Sequence, residues 1–181
     1  MASPAVVPNN RALLKQIYSL YRTVLLNQLY YSERLASFQR RNKIFEIFQA
    51  LGTSSTIGAW GIFRDGSGKN VWIVIAGIAS IISIIKPFLQ WPKEIERYGQ
   101  LSLGHSTLYL DVKRIVDRIA VDQGINDSTM KEIDGALNRY KDLALKDDPK
   151  PNIKKVQQFE DRVNQQISIK NLWMPSKNDK K

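Results

Sequence analysis

The stretch that decides the fold runs Ile44–Phe63, IFEIFQALGTSSTIGAWGIF, then Arg64-Asp65-Gly66-Ser67-Gly68-Lys69-Asn70, then Val71–Ile85, VWIVIAGIASIISII. The first part is twenty residues with a single charge, Glu46; the last is fifteen with none, extendable through Lys86, Phe88 and Leu89 to Trp91. At about 1.5 Å of rise per residue, each can reach the ~30 Å of a hydrocarbon core if the second uses its extension. The polar, glycine-rich segment between them has the length that joins antiparallel helices. It is not a phosphate loop, because Phe63 stands where the first glycine of that motif belongs and Asn70 replaces the Ser or Thr that should follow Lys69. Trp60, Trp72 and Trp91 lie near the expected interfaces, where indoles concentrate. A soluble reading must bury 71–85 on all sides, and a chain of 181 residues has little else with which to do so. The pattern therefore predicts a two-helix transmembrane hairpin over 44–91.

Spacing inside the hairpin carries further expectations. Gly52, Ser55 or Thr56, and Ala59 share one face of the first helix, while Ala76, Ala79 or Ser80, and Ser83 share one face of the second. Small residues so placed let two helices approach closely in lipid. Thr53, Ser54 and Thr56 could instead line a polar conduit in an oligomer. Counting from the turn, Glu46 lies about 27 Å before Arg64 and Lys86 about 26 Å after Lys69, so the two are expected to meet as an ion pair that offsets their desolvation.

The flanks set orientation. Arg34, Arg40, Arg41 and Lys43 precede the hairpin and Lys86, Lys93 and Arg97 lie at or beyond its end, against Arg64 and Lys69 in the turn, which places both termini in the cytoplasm. The formal charge of +10 calls for an anionic partner. Because Arg40, Arg41 and Lys43 sit at the membrane boundary, phospholipid headgroups fit better than nucleic acid, for which no base-reading motif is present.

Outward from the hairpin the pattern stays helical, so the fold class expected is all-α. Residues 1–43 form an N-terminal cytosolic helix whose apolar side runs Leu14, Ile17, Tyr21, Val24, Gln28, Tyr31, Leu35, Phe38, with no Gly or Pro between Arg11 and Leu51 to stop it. Residues 92–181 form C-terminal cytosolic helices and a basic tail. One carries Ile95, Tyr98, His105, Val112, Val116 and Ile119; Gly124 interrupts the pattern, and Asn126-Asp127-Ser128 caps a helix bearing Met130, Ile133, Leu137 and Tyr140. Asp147–Asn152 reads as a linker, followed by a helix with Ile153, Val156, Phe159, Val163 and Ile167. The first ten residues show no cleavable signal pattern. No Cys is present, His105 is the single histidine, and neither a catalytic constellation nor a cofactor or metal motif can be read, so an enzyme is not expected.

Tyr30-Tyr31-Ser32-Glu33-Arg34-Leu35 and Arg40-Arg41-Asn42-Lys43 on a long helix, a two-span hairpin with a short turn, and a continuing helix with Trp91-Pro92-Lys93-Glu94 together resemble the bacterial SLATT family over roughly residues 11–145. The resemblance implies a membrane effector of anti-phage defence that oligomerises and breaches the inner membrane, with a sensor or regulatory protein encoded nearby; the family offers no catalytic residues. The competing expectation is a membrane-tethered helical adaptor that recruits a cytosolic partner without forming a pore.

Overall fold

The computed structural model describes residues 10–62, 69–168 and 172–175; the side chains of 10, 51–62, 69–73, 75, 76 and 87 also fall outside it. Among the described residues the fold is all-α. It comprises α1 (Asn10–Ile62), α2 (Lys69–Ile85), a 3-10 turn (Lys86–Phe88), α3 (Trp91–Asp122), α4 (Asp127–Ala144) and α5 (Ile153–Gln166). As the absence of breakers between Arg11 and Leu51 implies, α1 runs without interruption into the apolar stretch, and Gly52 and Gly58 do not end it. The second apolar stretch behaves differently. Its expected extension to Trp91 is not continuous α-helix, because Pro87 has no N–H to continue the ladder and α2 closes in the 3-10 turn at Lys86. Gln90 then takes a left-handed conformation, φ 44°, and its carbonyl accepts from the N–H groups of Lys93 and Glu94 to start α3. A side chain larger than glycine pays about 1 kcal/mol or more for that conformation.

The remaining boundaries follow capping chemistry. After Asp122 it is Gln123, φ 49°, and not Gly124, that turns left-handed. Asn126 caps α4 by accepting from the Thr129 N–H at 2.8 Å, and Asn152 caps α5 by accepting from Lys155 N–H at 3.2 Å.

The chain divides into two compact units, residues 34–98 and residues 1–33 with 99–181, and α1 and α3 each contribute to both. In the second of these, Leu14, Ile17, Tyr21 and Val24 of α1 pack with Leu108, Val112, Ile115 and Ile119 of α3, Ile133 and Ala136 of α4, and Val163 of α5. Full burial is worth about 1.5–3 kcal/mol for each large aliphatic side chain. Two expected core residues face outward: Met130 gives its place to Thr129, which is fully buried, and Ile153 is 69% exposed. Charged pairs at the surface, Arg118 with Glu132 and Arg139 with Asp111 at 2.6 Å, join α3 to α4. The segment after α5 returns to α1, where the Tyr18 hydroxyl donates to the Trp173 carbonyl at 2.6 Å.

The connector between α4 and α5 reads as a linker yet is tied down through its backbone. The Asp148 N–H donates to the Tyr31 hydroxyl at 3.1 Å and the Asn152 N–H to the Tyr30 hydroxyl at 3.0 Å. The Lys150 N–H is taken by the Asp148 carboxylate at 3.1 Å. Pro149 and Pro151 have no N–H, so every backbone donor from 148 to 152 is accounted for. His105, fully buried, stacks on Tyr31 with ring centroids 5.2 Å apart and places Nε2 3.2 Å from the Asp147 carboxylate. Burial pushes the Tyr31 phenol well above its ordinary value; the Asp148 N–H bond opposes this, and the charges of Asp147 and Asp148 add to it. Tyr21 is raised likewise, by burial first and then by its hydroxyl contact with Tyr109, on whose ring it stacks.

Candidate membrane-inserting hairpin

The site expected from the sequence lies wholly within the unit formed by residues 34–98. Contacts within it run in opposite chain directions: Gln49 meets Lys86, Phe45 meets Trp91, and Phe38 meets Tyr98. As residue number rises on α1 it falls on the partner, so the two arms are antiparallel as the short polar turn requires. The turn itself, 63–68, lies outside the described residues.

The faces of α2 are chemically distinct. Val74, Ile78, Ile81, Ile84, Ile85 and Phe88 are all between 43% and 80% exposed. At about 100° per residue, the five on α2, Val74 to Ile85, fall within an arc of roughly 120°. Ala79 lies away from that arc and is 8% exposed, the one small residue of the expected packing face that is buried among those whose burial is described. Ser80 and Ser83 are both exposed; Ser80 borders the aliphatic arc about 40° from Ile84, Ser83 lies opposite the arc about 40° from Ala79, and the Ser83 hydroxyl donates back to the Ala79 carbonyl at 2.9 Å. Gly52, Thr53, Ser54, Ser55, Thr56 and Ala59 lie in α1 and Ala76 in α2, with side chains outside the described set. On the described part of α1, Ile44, Ile47 and Phe48 are 41–51% exposed at helical spacing.

The expected ion pair takes another form. Lys86 Nζ donates to Gln49 Oε1 at 2.7 Å, and the Glu46 carboxylate accepts from Asn42 Nδ2 at 2.8 Å, four residues earlier on the same helix. Lys86 thus meets α1 about one helical turn nearer the hairpin tip than expected, since Gln49 follows Glu46 by three residues. A neutral amide costs less to desolvate than a carboxylate and still satisfies the ammonium.

Beyond Trp91 the arms are joined by aromatic contacts that hydropathy could not reveal. Phe45 and Trp91 meet edge to face at 4.5 Å, and the Phe38 and Tyr98 rings stack at 5.3 Å. The Arg34 guanidinium lies 5.3 Å from the Phe38 ring and 5.0 Å from the Tyr98 ring and donates to the Tyr98 hydroxyl at 3.0 Å. Arg41 lies over Phe38 at 6.0 Å and Arg97 over Tyr98 at 5.7 Å. Aromatic residues placed symmetrically about the two apolar stretches were the available signal. Arg40, Arg41 and Lys43 are all exposed.

Among the described residues, no helix is long and apolar enough to cross a membrane. The reasons differ for the two arms: α2 has seventeen residues, about 26 Å of helix, while the apolar end of α1 is diluted by Glu46, Gln49 and a run of hydroxyls. Nor, among the described residues, do three or more His, Asp or Glu side chains converge as metal ligands would. In the other unit, a cleft of about 450 Å³ between α1, α5 and Met174 has a rim mixing Lys15 and Arg22 with Glu160. Arg22 is engaged by Asn164, so no one charge pattern there selects a ligand.

No protein-family model, curated protein or solved structure matches this chain.

Proposed function

We propose that residues 44–91 insert into a lipid bilayer as a hairpin and that the chain is a membrane effector of a bacterial defence system, which oligomerises and permeabilises the inner membrane when activated. The observation that carries this reading is the exposed aliphatic arc of α2, set against the small Ala79 on its packed side. A contiguous apolar patch of this kind is rarely left to water, and lipid is the solvent that accepts it without a complementary protein surface. Although α2 alone is short for a bilayer, the 3-10 turn and the residues up to Trp91 lengthen the apolar arm, with Lys86 able to snorkel toward the headgroups. Exposed Ser80 and Ser83, outside the aliphatic arc, offer a polar lining once several hairpins assemble. The resemblance to SLATT effectors in the order of parts supports the defence role; inner-membrane phospholipid, further copies of the chain, and a sensor or regulatory protein encoded nearby are the partners that role requires.

The test is purified protein reconstituted into dye-loaded vesicles. Carbonate-resistant incorporation together with concentration-dependent dye release is the expected result. Incorporation with no release under any activating condition would remove the pore and leave a membrane-tethered adaptor. That second reading has an observation of its own: Leu103, Leu110 and Val121, 60–81% exposed, form a stripe along α3 that a partner helix could cover.

A further inference from the structure

Within the two apolar stretches, 44–63 and 71–91, charge is confined to Glu46 and Lys86; every other ionised group of the 34–98 unit lies on a flank or in the turn. The two are not equivalent. Ile85, φ −79° and ψ −32°, carries the helical turn of α2 into Lys86. At about 100° per residue, Lys86 therefore projects about 20° from Ala79 and about 140° from the centre of the aliphatic arc. Its bond to Gln49 of α1 agrees with that side, and the residue is half-buried there. Glu46 is exposed, lies about 4.5 Å farther from the turn than Gln49, and is engaged by Asn42.

An ammonium carries three donors, and Gln49 Oε1 accepts one of them. With lipid against the aliphatic arc, the other donors of Lys86 need water on the opposite side, because a dry ammonium in hydrocarbon is costly. In an assembly of hairpins that water is the conduit itself. Ionisable side chains within membrane spans face such water-filled cavities and mark ion paths, and rings of Lys or Arg favour anions. The surroundings carry the same sign. Nine Lys and Arg stand against four Asp and Glu in residues 34–98, and Arg40, Arg41 and Lys43 lie within two turns of Glu46 on α1. The mouth of the conduit thus holds a positive potential that concentrates anions.

We propose that the assembled hairpins conduct anions and that Lys86, held by Gln49 on the side of α2 away from lipid, is the residue that selects them. The proposal rests on the pore reading and adds to it the class of ion that passes.

The experiment is the reversal potential of the full chain in planar bilayers under a potassium chloride gradient, at protein concentrations that release vesicle dye. The unaltered protein should favour chloride over potassium, and the preference should weaken as salt is raised. Lys86→Gln keeps an N–H donor for Gln49 and removes the charge, so the chloride-to-potassium permeability ratio should fall several-fold; Lys86→Glu should reverse the sign of the potential. Lys86→Arg should retain the preference for chloride. Glu46→Gln removes the nearest anion and should raise the ratio, which keeps the proposal open to refutation if the Lys86 variants do not insert. Unselective or potassium-selective currents from the unaltered protein would overturn the proposal while leaving the pore in place, as would a ratio unchanged in Lys86→Gln or not raised in Glu46→Gln. Absence of both current and dye release from the unaltered protein would overturn the pore reading and this proposal with it.

Discussion

Tyr30→Phe and Tyr31→Phe each delete one oxygen, and the fold assigns each oxygen to one backbone donor. In the first variant the Asn152 N–H loses its acceptor; in the second, the Asp148 N–H does. The rings themselves are 3–4% exposed and keep their packing, Tyr31 its stack on His105 included, so no cavity accompanies the change. Leaving a partly buried donor unsatisfied costs about 1–3 kcal/mol. The Tyr30 hydroxyl also stands 3.5 Å from the Asp148 carboxylate, a long contact that adds little. Amide hydrogen exchange resolved by residue reads the loss directly. Tyr30→Phe should accelerate exchange at Asn152 by about tenfold, the lower part of that energy range, with Lys150 changed less because its N–H is held by the Asp148 side chain. Tyr31→Phe should act on Asp148 in the same way. The double variant should exceed the sum of the two, since both hydroxyls hold one short connector. Unaltered protection at Asn152 in Tyr30→Phe would refute the assignment, as would equal acceleration of all three amides in either single variant.

Other expectations concern stability and assembly. Gly135 lies within α4 with open space where a Cβ would project, so Gly135→Ala should raise the urea midpoint by an amount equivalent to about 0.5–1 kcal/mol; Gly104→Ala should gain less or nothing, because its Cβ would meet Leu143 Cδ2 at 2.6 Å and that side chain must move. Because the folded phenols of Tyr21 and Tyr31 are raised above the ~10 of an unfolded tyrosine, their contribution is fully present below pH ~10. It is lost above that pH at up to about 1.4 kcal/mol per pH unit for each, so denaturation followed at rising alkaline pH should have a shallower slope in Tyr21→Phe. Ala79→Leu adds bulk at the buried side of α2, at a cost of about 1–3 kcal/mol, and together with Gly52→Leu should leave fractionation with membranes intact while abolishing dye release. Full release in both variants would show that close hairpin packing is not required.

The helical class and the long α1 were legible because hydrophobic period and the absence of breakers act locally, and both are visible along one chain. Most of the seam Leu14, Ile17, Tyr21, Val24 became core for the same reason. What could not be read were choices made between segments. Lys86 had two acceptors within one turn of its expected depth, Glu46 and Gln49, and helical rise alone does not separate them. Met130 and Thr129 are neighbours on the α4 sequence, so a small rotation of the helix decides which is buried. The connector 147–152 carries the composition of a loose linker; its order comes from two tyrosines more than a hundred residues away. The arginine–ring cluster depends on α1 and α3 meeting in one register, which no local pattern encodes.

The bend at Gln90 restricts how the hairpin can move. Prolines stand on both sides of it, at 87 and 92, and each lacks the N–H that a continuous helix would offer to the carbonyl four residues earlier, Ser83 and Phe88 respectively. Straightening 69–122 into one rod would put both proline rings inside the helix, each against one of those carbonyls. The left-handed residue carries about 1 kcal/mol of strain, and unbending would exchange it for the cost of a proline in a helix interior, about 3 kcal/mol or more. The elbow is stiff against opening, so in the assembly proposed above whole hairpins would tilt or slide past one another, with the corner at Gln90 carried along unchanged.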